Sequence, residues 1–277
     1  MGVLDKLRLD GKVAVVTGAG RGLGRAMAVA LADAGADIVA TARTQGQIDE
    51  TAGLVRDKGP RCLAVTCDVT DSESVKKVVD AALGEFGRID VLVNNAGGAT
   101  DGFGNTLEAI TDEQWRVGIS TNLTGAMYCS RAVIPHMIER GSGKIINVTS
   151  GFGLRAARNN FIYTSAKAGL INFTRSLTMT YAPAIQANLI APGLFPHGDP
   201  AMEEWWKHGK FVPMGRLGGD EELGPLCVFL ASELTSYMNG QIIVLDGGGL
   251  AGGQLPTGFA PVVPLKDQEV RGWEEEG

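Results

Sequence analysis

Tyr163 and Lys167 stand four residues apart in Tyr163-Thr164-Ser165-Ala166-Lys167. On a helix that spacing puts both side chains on one face, where an ammonium beside a phenol stabilises the phenolate. A free phenol titrates near ~10, so a tyrosine that exchanges protons near neutrality needs positive charge beside it. Ser150, thirteen residues before Tyr163, carries a hydroxyl able to donate to a substrate oxygen, and its neighbour Thr149 offers the same group. Far upstream lies a second cluster of chemical interest, Thr17-Gly18-Ala19-Gly20-Arg21-Gly22-Leu23-Gly24. Glycines in such a turn let backbone approach a pyrophosphate at a helix N-terminus, where unpaired N–H groups and the helix dipole favour anions.

The surrounding pattern decides whether that turn is in the right place. Seven short apolar runs recur along the chain: Val13 to Val16, Ile38 to Thr41, Leu63 to Thr66, Val91 to Val93, Ile145 to Val148, Ala187 to Ala191 and Ile242 to Leu245. They lack polar alternation, so both faces of each strand are expected to be buried. Segments with helical spacing lie between them, such as Leu23, Met27, Ala30, Leu31 and Ala34, or Val75, Val78, Val79 and Ala82. Strand then helix, repeated, predicts an α/β fold with a doubly wound parallel sheet. The glycine turn joins the first strand to the first helix. No linker composition interrupts the pattern, which predicts a single domain over residues 1–250 and an irregular, Pro-containing tail over 251–277.

The end of the second strand bears on which dinucleotide would bind. An Asp or Glu there would accept from a ribose 2′-hydroxyl, but the chain reads Ala40-Thr41-Ala42-Arg43. A guanidinium holds a 2′-phosphate in bidentate fashion, so Arg43, with Arg21 in the turn, favours NADP(H) over NAD. Both arginines read equally as solvated surface charges when taken alone. After the third strand, Asp68-Val69 is placed to contact an adenine edge, or Asp68 caps the helix that starts near Asp71.

Taken in order, Thr17 to Gly24, Asn94-Asn95-Ala96-Gly97, Tyr163 to Lys167 and Pro192-Gly193 resemble the short-chain dehydrogenase/reductase family, over about Leu9 to Gly249. The resemblance implies a Rossmann fold and hydride exchange between a nicotinamide and a carbonyl or secondary alcohol. It selects Ser150 rather than Thr149 as the substrate-orienting hydroxyl, Tyr163 as the proton donor, and Lys167 as the group that lowers the tyrosine pKa and holds the ribose. It further implies that Asn122, in Ser120-Thr121-Asn122-Leu123, holds a water linking the lysine to solvent. Asn95, Ala96 and Gly97 would line the cofactor, and Pro192 and Gly193 would border the nicotinamide. One departure stands out: family members often carry Thr a few residues beyond the Pro-Gly, where this chain reads Leu194-Phe195-Pro196-His197.

The segment from Pro192 to Gly218 would fold over the substrate, and its Phe195, Trp205, Trp206 and Phe211 suggest an apolar lid for a bulky ketone. Packing of the tryptophans beneath that segment or against another subunit is the rival use. Arg155 and Arg158 would instead suit an acidic group or a carrier protein, as in a 3-oxoacyl-thioester reductase. A non-redox lyase or a dinucleotide-sensing protein is the alternative of a different class, since fold alone does not set chemistry. In relatives the helices around Thr111 to Arg140 and Tyr163 to Thr180 form dimer contacts, which implies a homodimer or homotetramer.

Composition agrees with a small-molecule enzyme. With 31 acidic against 25 basic residues and net charge −6, the 277-residue chain lacks the basic excess of a nucleic-acid binder. Cys62, Cys67, Cys129 and Cys227 have no C-x-x-C spacing and are expected to be reduced thiols. His136, His197 and His208 are scattered, so no metal is expected. No apolar run reaches the ~18 residues of a membrane span, and Met1 to Lys12 lacks a secretion signal's apolar core, so a cytoplasmic location is expected.

Overall fold

Every apolar run of the sequence becomes a strand in the computed structural model, which describes residues 2–197 and 212–251. The strands are β1 (Val13–Thr17), β2 (Asp37–Ala42), β3 (Cys62–Thr66), β4 (Val91–Asn94), β5 (Gly143–Val148), β6 (Ile185–Pro192) and β7 (Ile242–Leu245). They form one parallel sheet in the order β3-β2-β1-β4-β5-β6-β7. Val15 pairs with Val39 on one side and with Leu92 on the other. The chain thus winds outward from β1 to β3, returns to lay β4 beside β1, and builds the second half in the other direction. At such a reversal the loops leave for opposite faces, and a crevice opens at the carboxyl ends of the two central strands.

The helices are α1 (Gly22–Asp33), α2 (Gln45–Arg56), α3 (Ser72–Phe86), α4 (Asp112–Ile119), α5 (Gly125–Glu139), a one-turn α6 (Gly151–Leu154), α7 (Phe161–Tyr181) and α8 (Leu223–Ala231). Successive strand residues point to opposite faces, so Ala14 and Val16 pack with Met27 and Leu31 of α1 and Leu223 and Leu230 of α8. Val13 and Val15 pack with Val75 and Val78 of α3, Val133 and Met137 of α5, and Leu177 of α7. Both faces are buried in β1, β2, β4, β5 and β6, which is why these read as unbroken apolar runs. The edge strands β3 and β7, each with a neighbour on one side only, are half-buried, and Val244 is exposed. Each fully buried Val, Leu or Ile contributes about 1.5–3 kcal/mol of transfer free energy. A turn of 3-10 helix at Asp220–Glu222 precedes α8, so Pro225 falls in the first turn of α8, where its missing N–H leaves no helix bond unmade.

Between α4 and α5 the helix widens into a π turn at Ser120–Thr124, which carries Asn122. Among the described residues all four cysteines are free thiols, and no helix is long and apolar enough to cross a membrane. The expected tail over 251–277 lies outside the described residues beyond Ala251, as do the lid residues Met202, Trp205, Trp206 and Phe211.

Opposite the crevice, at the amino ends of the strands, Asp90 is 6% exposed. Its carboxylate accepts from the Val13 backbone N–H at 2.9 Å and from the guanidiniums of Arg88 (2.7 and 2.5 Å) and Arg140 (3.3 Å). Removing the carboxylate would leave a backbone donor and two partly buried cations without their acceptor. Asp90→Ala is therefore expected to lower the unfolding free energy by about 2–3 kcal/mol. Urea denaturation checks this, and a loss under about 0.5 kcal/mol would show the carboxylate to be dispensable.

Candidate active site

Local sequence explains the shape of the glycine turn. Gly18 has φ +65°, a left-handed conformation that glycine adopts without strain. Gly24 lies so close to the turn that an added Cβ would collide with the Gly18 carbonyl and meet Asn95 Nδ2 at 2.5 Å. The N-cap of α1 is Arg21, whose side chain makes no capping bond, and the first turn of α1 holds no acidic residue. The result is an uncapped helix N-terminus with close backbone, the arrangement that suits a pyrophosphate.

A cleft of about 560 Å³ runs from this turn across the carboxyl ends of the strands. Gly18, Gly20, Arg21, Gly22, Leu23 and Gly24 line it at α1, Arg43 at the end of β2, and Asp68 and Val69 after β3. Asn95, Ala96 and Gly97 line it after β4, Ser150, Tyr163 and Lys167 after β5 and on α7, and Pro192 and Gly193 at the end of β6. Residues from distant parts of the chain that were singled out for one dinucleotide site therefore share one wall. Asp68 does not cap α3: its Oδ1 accepts from the Thr70 N–H (2.9 Å) and hydroxyl (2.7 Å), while Asp71 accepts from Glu73 as the N-cap. The Thr70 backbone bond and then its hydroxyl, with the nearby Arg43 charge, outweigh burial and hold the Asp68 carboxyl below the usual range.

At the other end of the cleft, Lys167 is 4% exposed and its Nζ donates to the Val148 carbonyl at 3.0 Å. It lies 5.6 Å from the centre of the Tyr163 ring. Burial pushes the lysine down to about 8 and pushes the Tyr163 phenol up, the latter opposed by a hydrogen bond with the Ser150 hydroxyl. Ser150 also caps α6 by accepting from the Phe152 N–H at 3.2 Å. The Thr149 hydroxyl donates to the Lys167 carbonyl at 2.9 Å, so it is engaged in fixing α7. The arrangement can hold a proton on Tyr163 and release it to an oxygen placed between Tyr163 and Ser150.

Asn122 sits behind this wall at 1% exposure. Its Oδ1 accepts from the Gly98 N–H at 2.9 Å, and its Nδ2 donates to the carbonyls of Gly98 (3.0 Å) and Gly118 (3.1 Å). A Cβ on Gly97 would meet Asn122 Oδ1 at 2.6 Å and Lys167 Nζ at 3.4 Å, so the amide oxygen and the ammonium are near neighbours. Phe195 corrects the expectation of a substrate contact: it is 5% exposed, belongs to the α1/α8 core, and its ring fills the space left by Gly218. Trp205 lies outside the described residues.

The cleft also includes residues that the sequence patterns did not single out for it. Thr44 and Gln47 continue the wall from Arg43, a position readable from the start of the helix pattern after β2. Arg116, Val117, Ser120 and Thr121 enter from the α4 side and carry no local signal. His197 lines the cleft at the end of the stretch Leu194–His197 that departs from the family pattern.

Comparison with known proteins places the chain in a family. The family model described as Enoyl-(Acyl carrier protein) reductase matches residues 18–249. The cis-4-hydroxycyclohexanecarboxylate dehydrogenase of Sinomonas cyclohexanicum is 41% identical over 242 residues, covering 86% of this chain and 96% of its own. The 3-oxoacyl-(acyl-carrier-protein) reductase of Thermotoga maritima is 35% identical over 252 residues, covering 87% and 99%. A crystal structure of a gluconate 5-dehydrogenase from Burkholderia cenocepacia, in complex with NADP and tartrate, superposes with a TM-score of 0.80 at 36% identity, covering 89% of this chain and 98% of that one. The chain belongs to the short-chain dehydrogenase/reductase family, whose members are oxidoreductases that bind nicotinamide dinucleotides.

The opposite displacements of the phenol and the ammonium give a direct test. In ligand-free protein, the ultraviolet titration of wild type minus Tyr163→Phe should show Tyr163 ionising above the ordinary phenol value of ~10. Ionisation below pH 9 without a ligand would mean that burial is not the dominant influence on this phenol.

Proposed function

We propose that the protein is an NADP(H)-dependent oxidoreductase exchanging a hydride between the cofactor and a carbonyl or secondary alcohol carbon. The observation that carries this reading is the convergence of Tyr163, Ser150 and a desolvated Lys167 at one end of a cleft whose other end is an uncapped glycine-turn helix. Gly18, Gly20, Arg21, Gly22, Leu23 and Gly24 would hold the pyrophosphate, and Asp68 and Val69 the adenine. Asn95, Ala96 and Gly97 would line the middle, and Pro192 and Gly193 the nicotinamide end. When bound there, the nicotinamide supplies or accepts the hydride. Tyr163 gives its proton to the carbonyl oxygen in reduction and takes one back in oxidation, and Ser150 holds that oxygen. Lys167 offsets the negative charge that Tyr163 acquires and holds the ribose. Asn122, beside Lys167 Nζ, completes a water-borne proton relay.

Support for NADP(H) comes from Arg43 and Arg21, both exposed on the cleft wall and neither in an ion pair among the described residues. Ala42 leaves the end of β2 without a carboxylate that would repel a 2′-phosphate. The relative solved with NADP adds to this. For the substrate we favour a bulky apolar ketone, and the ring alcohol in the name of the Sinomonas relative suggests a six-membered cyclic one. A second reading, 3-oxoacyl-thioester reduction, is favoured by the exposed Arg155 and Arg158 between Ser150 and Tyr163 and by the Thermotoga relative. The apolar side chains that α4, α5 and α7 leave exposed, Trp115, Ile138 and Met179, support a homodimer or homotetramer. We take residues 1–250 as the catalytic unit and 251–277 as a tail.

Following the reduced-nicotinamide absorbance against cyclic ketones and 3-oxoacyl thioesters separates the substrate readings, and silence with both would reject them. Tyr163→Phe should lower kcat by about 10²–10⁴ while leaving NADPH affinity within about twofold. Near-normal turnover in that variant would remove Tyr163 as the proton donor. Arg43→Asp should weaken NADPH binding by about 10–100-fold and spare NADH, as expected for the loss of a charge-assisted contact. Equal weakening of both cofactors would show that Arg43 does not read the 2′-phosphate.

A further inference from the structure

Pairing of β1 with β2 ends at Thr17 and Thr41, and in the glycine turn that follows Ala19 and Gly20 are buried. Their carbonyls have left the sheet, yet both find donors. Thr51 of α2, fully buried, donates its hydroxyl to the Ala19 carbonyl at 2.8 Å. Arg25, at the end of the first turn of α1, donates Nε to that hydroxyl at 3.1 Å and Nη2 to the Gly20 carbonyl. The same Nη2 reaches the Gln47 carbonyl at 3.3 Å and the exposed Glu50 carboxylate at 2.8 Å. A guanidinium that donates to a hydroxyl strengthens the bond the hydroxyl gives onward, because each bond polarises the next. Neither Arg25 nor Thr51 is among the residues lining the cleft.

We infer that Arg25 and Thr51 are positioning residues for the cofactor's pyrophosphate: they turn the Ala19 and Gly20 carbonyls into the protein, so that the turn shows the anion its N–H groups. The inference rests on the cofactor placement proposed above. A planar trans peptide points its carbonyl and its N–H in opposite directions, so holding one aims the other. The Ala19 carbonyl shares its peptide with the Gly20 N–H, and the Gly20 carbonyl shares its peptide with the Arg21 N–H. Held inward by Thr51 and Arg25, the two carbonyls direct both N–H groups toward the cleft that Gly20 and Arg21 line. A carbonyl free to turn over would present its negative end to the anion and bury its N–H without a partner. The charge of Arg25, lying behind the turn, has the sign that favours the same anion.

Dissociation constants for NADPH and NADH, and for adenosine 2′-phosphate by displacement, measured on the full chain and its variants, test this. Thr51→Val keeps the shape of the side chain and removes the hydroxyl, whereas Thr51→Ser keeps the hydroxyl. Thr51→Val and Arg25→Met should each weaken NADPH and NADH by about tenfold and by the same factor, since both carry the pyrophosphate. Thr51→Ser should stay within about twofold of wild type. Adenosine 2′-phosphate, which has no pyrophosphate, should bind all forms alike. Where Arg25→Met fails to fold, the two Thr51 variants decide. Unchanged dinucleotide affinity in Thr51→Val overturns the inference. So does a loss of adenosine 2′-phosphate affinity equal to that of NADPH, which would make the contact a plain brace between α1 and α2. Binding of NADH alone would reject the reading of Arg43 and leave this inference to be judged on NADH with the Thr51 pair. A wild type that binds neither dinucleotide overturns the cofactor reading and this inference with it.

Discussion

The cleft exists because β1 and β4 part at their carboxyl ends, and one buried hydroxyl governs how they part. Thr17 is 2% exposed; its Oγ1 donates to the Val93 carbonyl at 3.3 Å and accepts the N–H groups of Asn95 and Ala96, each at 3.0 Å. Asn95 answers with its amide, donating to the carbonyls of Thr17 (3.0 Å) and Gly18 (3.3 Å). The glycine turn after β1 and the loop after β4 are thereby one hydrogen-bonded body. Its neighbour Asn94 faces the other layer, where Nδ2 donates to Asn147 Oδ1 at 2.8 Å. Asn147 in turn donates to the Thr174 hydroxyl of α7, also at 2.8 Å. Two adjacent asparagines thus tie the glycine turn and the helix of Tyr163 and Lys167 to the end of the same strand. Buried side-chain bonds of this kind cost dearly when half-made, so the two ends of the site keep their spacing.

Electrostatics at the Tyr163 end follow from dryness rather than from an ion pair. Burial disfavours the charged form of each group, which raises the phenol and lowers the ammonium, so the ligand-free site tends toward neutrality. Any negative charge gained by Tyr163 favours the charged lysine, and the charged lysine favours the phenolate. The ammonium lies 5.6 Å from the ring centre, near enough for charge on either group to favour charge on the other. The Val148 carbonyl holds Nζ in place whichever form prevails, so the change of charge needs no movement of the lysine.

What the sequence disclosed was whatever depends on local spacing or on continuous burial. The five inner strands were legible because both their faces are covered; the glycine turn, because Gly18 and Gly24 meet steric conditions no other residue satisfies. Long-range choices were hidden. Thr149 and Ser150 are chemically alike, and what separates them is distant in sequence: the Lys167 carbonyl engages Thr149, while the Tyr163 phenol meets Ser150. Phe195 looked like part of an apolar lid, but its ring direction depends on the gap at Gly218, twenty-three residues away. Asn122 was reached through the resemblance alone, since nothing in Ser120–Thr124 announces the π turn that brings it to Gly98. His197 carried no pattern at all: its place over Gly22 is set by Asp220 from a distant turn.

Relatives of similar length and frame bear names that specify a ring alcohol, a sugar acid and a carrier-bound oxoacyl chain. On the proposed reading, the sheet, the Thr17–Asn95 tie and the Tyr163–Lys167 helix would not distinguish such substrates, because they would act on the one carbon and oxygen that all of them present. Discrimination must come from residues that touch the rest of the molecule, on loops the frame leaves free to vary. In this chain Gly97 to Asn105 and Arg155 to Asn159 flank the Tyr163 end, and they are joined where the Gly104 N–H donates to the Asn159 carbonyl at 2.8 Å. Gly102 and Gly104 both have positive φ, so the first loop keeps a path that bulkier residues would strain. Gly98 of the first loop is held to Asn122 on both its N–H and its carbonyl, so the part that is independent of the Lys167 side begins beyond it, where one backbone bond at Gly104 joins the two loops.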